Sequence, residues 1–263
     1  MEPTKNFFIR PSRWGTMKLF QKIKYSFPHF PEAFGKYVDK LQAKEIVREM
    51  AGDLVRIPKT VRIMKSHTDL SDSDINPNWM IKTTHGSSQN IVFHPGVDYT
   101  INWILSMLER YNKSFYLTHG EAQYKWVQPR FFIEEKIEDY FNGKDGNAIT
   151  FMIYCLNGKP YTVIFMDKKQ DRYRHFLFSE DGALEQIPIQ NQVFYAFEIP
   201  PKPIMARMYA AAVRLSQPFE FVRVDFYLGK DGELYFSEFT FTPNSGEQIY
   251  SDALELTLGA LWV

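Results

Sequence analysis

One cysteine in 263 residues, Cys155, excludes an internal disulfide and any zinc cluster built on cysteine. Its setting, the apolar run FMIYCLNG, is that of a buried inert thiol. The six histidines show no HxxxH or similar spacing, which removes the usual zinc alternatives. Net charge is also missing: 31 Lys and Arg balance 31 Asp and Glu, so no global field attracts nucleic acid or an anionic membrane. No apolar run reaches transmembrane length, and the opening MEPTKNFFIRPSRWG lacks a signal-peptide core, so a cytoplasmic location is expected. Internal repeats, GxxxxGK[ST] and GxGxxG are all absent.

What remains is strand-rich. Residues 37–50 carry a helical apolar pattern stopped by Gly52; strands are expected at 61–64, 79–82, 90–93, 130–134, 148–156, 161–166 and 176–179. Helices are expected at 97–111, 204–216 and 252–261, and Asn157-Gly158 marks a hairpin turn. The first forty residues, interrupted by Pro28 and Pro31, read as an irregular or short-helical segment, and DKKQDRYRH as a charged loop. Strands dominate with helices at the flanks, an α+β or mixed pattern rather than a strict βαβ alternation.

The stretch FVRVDFYLGKDGELYFSEFTFTP, residues 221–243, is the most informative. Asp231-Gly232 suits a two-residue type I′ turn, which places Asp225 opposite Glu238, Arg223 opposite Thr240 and Phe221 opposite Thr242. Val222, Val224, Phe226 and Leu228 then face a core with Tyr235, Ser237, Phe239 and Phe241. Two facing carboxylates repel unless a cation lies between them. Arg223 and nearby lysines on a solvated face would serve; so would Mg²⁺, which takes carboxylate oxygens and bridges nucleotide phosphates.

Three weaker signals accompany the hairpin. Lys82 ends an apolar strand before the small-residue loop THGSSQN, which is either an exposed turn or a phosphate-covering flap. The run FIEEKI offers backbone edges that a planar base could read, or is simply a strand leaving the core. Arg172, Arg174 and His175, with Lys168 and Lys169, form a basic patch suited to an anion or to solvent.

Taken in order, VDKLQAKEIVREMAG, WMIKTTHGSSQN, PRFFIEEKI and RVDFYLGKDGELYFSEFTFTPNSG resemble the ATP-grasp superfamily, and within it the TupA-like branch of polysaccharide (teichuronic acid type) biosynthesis. The resemblance runs from about Lys36 to Gly246. It implies an α+β fold with two β-rich subdomains gripping ATP: a helical or irregular segment over 1–60, a small subdomain over 61–134 and a large one over 135–263. The implied activity is a carboxylate–amine ligase dependent on ATP and Mg²⁺ and working through an acyl phosphate, with a sugar or glycan-precursor carboxylate as acceptor and possible docking to glycan-biosynthesis enzymes. On that pattern Asp225 and Glu238 hold the metal, helped by Thr240 or Asn244. Lys40 and Lys82 meet the nucleotide. The flap with His85, Gly86, Ser87 and Ser88 covers the phosphates, the backbone of Glu135 and Ile137 meets adenine, and Glu138 or Asp139 the ribose. Arg223 stabilises the developing oxyanion and Arg174 clamps the transferred phosphoryl group. The sequence departs from the pattern at Thr240, where most ATP-grasp enzymes have asparagine, at Thr150-Phe151-Met152, where the branch often has an acidic-aromatic-lysine run, and in the short segment before Lys82. A kinase on the same site, or a nucleotide-binding protein without turnover, stays open at this level.

Overall fold

The computed structural model describes residues 4–113, 115–141, 148–167, 172–187 and 197–263. Lys168 and Lys169 of the basic patch lie outside the described residues. After α1 (Leu19–Ser26), the single helix expected over 37–50 is two helices, α2 (Gly35–Val38) and α3 (Lys40–Ala51). Asp39 divides them: its extended backbone stops α2, and its carboxylate caps α3 by accepting the amides of Leu41 at 2.9 Å and Gln42 at 3.2 Å. The cap fixes Lys40 as the first residue of α3.

β1 (Thr60–Met64), β2 (Trp79–Thr83), β3 (Asn90–Val92) and, after α4 (Ile101–Tyr111) and α5 (Phe115–His119), β4 (Phe131–Glu135) form an antiparallel sheet in the order β1-β4-β2-β3. Its apolar face packs on α4 through Ile81, Ile91, Ile104, Leu108 and Phe131.

The second sheet contains β5 (Thr150–Leu156), β6 (Lys159–Asp167), β7 (Arg172–Phe178), β8 (Leu184–Gln186) and, after α6 (Lys202–Ser216), β9 (Phe221–Leu228) and β10 (Leu234–Thr240). Its order is β10-β9-β5-β6-β7-β8, antiparallel throughout. One face carries α3 and α6 over Ile153, Val163, Phe165, Val224 and Phe226. The other is covered at one end by α1 and α7 (Asp252–Leu261), where Phe221 stacks on Trp262 at 5.0 Å. Phe221 thus shares a face with the charged residues, yet lies in a second core.

The charged-loop reading of 167–175 is corrected in its second half, because Arg172–Phe178 is a strand. Alternation puts Tyr173 and His175 on one face and Arg174 and Phe176 on the other, and β6 supplies the pairing partner.

The two hairpins differ. Asn157 and Gly158 both take positive φ, 48° and 77°, as a two-residue type I′ turn requires. At the second hairpin only Gly232 does so, and Leu228 pairs with Leu234 across a longer loop closed by Gly229 N–H to Glu233 C=O at 2.9 Å. That odd loop would move every later side chain to the wrong face. A bulge at Ser237 restores the register, so Asp225 still opposes Glu238 and Arg223 still opposes Thr240. The bulge also explains why Phe236 and Phe239, three residues apart, share one core with rings 4.9 Å apart. Phe236, not Tyr235, is therefore the core residue of β10.

Candidate functional site

Between the sheets lies a cleft of about 950 Å³, reached by Lys40, Lys82, Ser87, Ser88, Arg223, Glu238, Thr240 and Asn244 of the expected site. Its floor is the uncovered face of the six-stranded sheet, where register sets Glu238, Asp225, Met152, Ile164 and His175 in one row across five strands.

Asp225 is 0 % exposed and lies at the bottom of this row. Arg223, two residues away on the same face, donates to both its oxygens, Nε to Oδ1 at 2.8 Å and Nη2 to Oδ2 at 2.6 Å. A further bond from Nη2 reaches the Thr240 hydroxyl at 3.1 Å. Burial disfavours the guanidinium charge, but the Asp225 carboxylate outweighs it and raises the Arg223 pKa. Glu238 stands nearer solvent, its side chain 20 % exposed, at 3.8 Å from Arg223 and 3.7 Å from Lys40. Those two separations are ion-pair distances too long for hydrogen bonds.

Lys40 also donates to the Gly86 carbonyl at 2.5 Å, tying the start of α3 to the flap. Lys82 lies beneath the flap with its ammonium 2.5 Å from Glu134 and 5.7 Å from the centre of the Tyr227 ring. The other Glu134 oxygen meets Lys44 at 2.5 Å. Burial opposes charge on all three groups. The lysines hold Glu134 below the usual carboxylate range and Glu134 in turn raises Lys82, while burial prevails at Lys44 and lowers it. Two buried ammonium groups thus share one carboxylate, and of the two lysines Lys82 reaches the cleft.

A divalent ion would meet carboxylate oxygens here. Among the described residues no three His, Cys, Asp or Glu side chains cluster, so the protein alone supplies no complete cage. Mg²⁺ characteristically uses one or two carboxylates and takes its other ligands from phosphate and water. Glu238 offers such a carboxylate to the cleft, and Asp225 faces it in register with both oxygens held by Arg223.

Other expected residues have different surroundings. His85 is buried, with Nε2 2.7 Å from the Tyr111 carbonyl and its ring edge-on to Phe131, and burial lowers its pKa. Glu135 accepts the Lys59 amide at 2.7 Å. Ile137 lines a small adjoining pocket with Met80, Val92, Lys136, Ala148, Thr150 and Tyr227. Glu138 pairs with Lys230 at 3.5 Å. Asp139 is buried and accepts the amides of Phe141 at 3.0 Å and Ile149 at 2.8 Å, so it braces the chain beneath that pocket rather than facing a ribose. Arg174 is not brought to the cleft: it bonds Gln186 and lies over the Phe176 ring, because strand alternation gives the cleft side to Tyr173 and His175.

Several cleft residues carried no sequence signal. Phe115 comes from α5, Tyr124 from the 3-10 turn Ala122–Trp126 and Glu121 from the position just before that turn, a stretch without periodicity. His175 was visible only as part of a charge run. Neither ring nitrogen has a partner among the described residues, and burial pushes its pKa down to about 4. Tyr154 is pushed up to about 12, chiefly by burial and against the opposing influence of the neighbouring Arg223.

Comparison with curated proteins gives no match. Among solved structures, D-alanine–D-alanine ligase from Bacillus anthracis complexed with ATP aligns at 17 % identity over 86 % of this chain and 63 % of that one, with a TM-score of 0.48. A biotin carboxylase complex with β,γ-ATP from Campylobacter jejuni aligns at 10 % identity over 86 % and 44 %, with a TM-score of 0.50. A Chryseobacterium gregarium RiPP-associated ATP-grasp ligase, in complex with ADP and a leader and core peptide, aligns at 12 % identity over 93 % and 64 %, with a TM-score of 0.46. The chain spans less than two thirds of the length of each. The TupA-like ATP-grasp family profile matches residues 21–263. With that match covering nearly the whole chain and the two-sheet cleft in place, the protein belongs to the TupA-like ATP-grasp family.

Proposed function

We propose that this protein is an ATP- and Mg²⁺-dependent ligase that activates a carboxylate as an acyl phosphate and joins it to an amine. The observation that carries the reading is the convergence of Lys40, Lys82, Arg223 and Glu238 on one cleft, with Asp225 buried behind Arg223 and opposite Glu238 in register. Bound Mg²⁺ would neutralise phosphate charge and polarise the phosphoryl group. Glu238 and Asp225 would hold it, with Thr240 or Asn244 at its edge.

Lys82, kept charged by Glu134, and Lys40 bind the triphosphate. Ser87 and Ser88 cover it and exclude water, Ser88 from a left-handed backbone with φ 57°. The adenine edge meets the backbone near Ile137, in the small pocket that adjoins the cleft. Arg223 is held rigidly by Asp225, so its charge faces the oxyanion that forms on the acyl oxygen as the amine attacks, without reorganisation.

The acceptor carboxylate is assigned to a sugar or glycan precursor on family analogy alone, and docking to glycan-biosynthesis enzymes rests on the same ground. No described helix is long and apolar enough to cross a membrane. Cys155, buried and pushed up to about 12 by that burial, is compatible with a reducing cytoplasm.

Product analysis tests the reading. Phosphate release from ATP that requires both a carboxylate and an amine supports it; transfer of the γ-phosphoryl group to a hydroxyl, giving a stable ester, identifies a kinase instead.

A further inference from the structure

Glu121 is 4 % exposed and lines the cleft, yet no Lys or Arg among the described residues lies within ion-pair distance. Buried acids elsewhere are compensated. Asp39, Asp74, Glu134, Glu220 and Asp225 each hold a lysine or arginine. Glu255 instead accepts backbone amides of Phe20, Ile249 and Tyr250. Glu121 has only two neutral donors, both on Oε2: the Thr242 hydroxyl and Gln123 Nε2, the latter at 3.1 Å. No described residue donates to Oε1. Gln123 is itself fully buried, and no described residue donates to its Oε1.

Two aromatic rings lie beside these acceptors, together with His119, which stacks on Phe115 at 3.9 Å and acts electrostatically on Glu121. Phe115 and Tyr124 line the same part of the cleft with centroids 4.9 Å apart. A buried carboxylate beside aromatic rings, with acceptors in excess of donors, is complementary to a cation bearing N–H groups. It also lies beside the proposed chemistry, since Thr242 follows Thr240 by two residues at the end of β10.

We propose that Glu121, Phe115 and Tyr124 form the docking site for the ammonium group of the amine acceptor. This deepens the ligase reading and rests on it. Burial holds the Glu121 pKa above the usual carboxylate range, a cost that an arriving ammonium relieves. Tyr124 is raised well above its ordinary value by burial first and then by the charges of Glu238 and Glu121.

The test titrates methylammonium chloride into the full chain loaded with Mg²⁺ and a non-hydrolysable ATP analogue, following the side-chain NMR signals of Glu121 and Tyr124, with sodium chloride at equal ionic strength as control. Saturable shifts with methylammonium alone are expected. Glu121→Gln, which can still accept from Thr242, should weaken methylammonium by about tenfold or more while leaving nucleotide-induced thermal stabilisation intact. Should that variant misfold, Phe115→Leu provides the second arm and should weaken methylammonium several-fold. Unsaturable shifts, or equal affinity in a folded variant, would overturn the proposal. A wild-type protein that binds nucleotide but not methylammonium refutes the ammonium site alone; one that fails to bind nucleotide refutes the ligase reading instead.

Discussion

Replacing Asp225 by asparagine tests the centre of the site, because the same carboxylate neutralises Arg223 and is proposed to hold Mg²⁺. Both its oxygens accept from Arg223, at 2.8 and 2.6 Å, in a pocket where Asp225 has no exposure. Removing one partner of a buried pair strands the other charge, at about 3–5 kcal/mol. Here Glu238 remains 3.8 Å from Arg223, and the amide oxygen still accepts one bond, so the lower end, about 3 kcal/mol, is expected. For a chain of this size that lowers Tm by roughly 6–12 °C. The variant should still fold, since the apolar face of β9 is untouched. Melts with and without ATP and Mg²⁺, beside phosphate release, separate the two roles. An unchanged melting temperature would refute the buried pair, and retained Mg²⁺-dependent turnover would refute the metal role.

Lys82→Met should abolish most of the stabilisation by ATP and Mg²⁺, because it removes the charge that Glu134 keeps in place; melts over an ATP series measure the loss. Arg174→Ala should leave that stabilisation unchanged, since its side chain is on the far face of β7; an altered ATP titration would contradict the placement. His175 titrates near 4 in the fold against 6.5 unfolded, so the unfolded chain binds the extra proton between those values. Its contribution is complete above pH 6.5 and declines as pH falls towards about 4, by roughly 3 kcal/mol in all. His175→Phe should flatten that part of a denaturation-against-pH curve; an unaltered slope would show that the imidazole is not buried neutral.

The hairpin shows how much of the site could be read and where reading stopped. Period-two alternation placed Arg223, Asp225, Glu238 and Thr240 on one face, and they are there. The turn behind that inference is different, and a bulge at Ser237 compensates. Turn type depends on φ at Asp231 and the bulge on how Phe236 and Phe239 enter one core, neither of which the DG dipeptide encodes. Arg174 failed for a related reason: its charge was visible, but its face was decided by the register of β7 on β6.

By itself the sequence determined the elements with strong local causes: the Asn157-Gly158 turn, the strands of alternating character, and a motif order that marks the family. These depend on residues within a few positions of one another. Tertiary structure decided what no local pattern contains: Lys40 reaching Glu238, Lys44 and Lys82 sharing Glu134, Glu121 meeting Thr242, and His175 buried across the sheet from Asp225. Each joins groups distant in the chain, and their protonation and reactivity follow from desolvation and neighbouring charge, which exist only once the two sheets and their helices have packed.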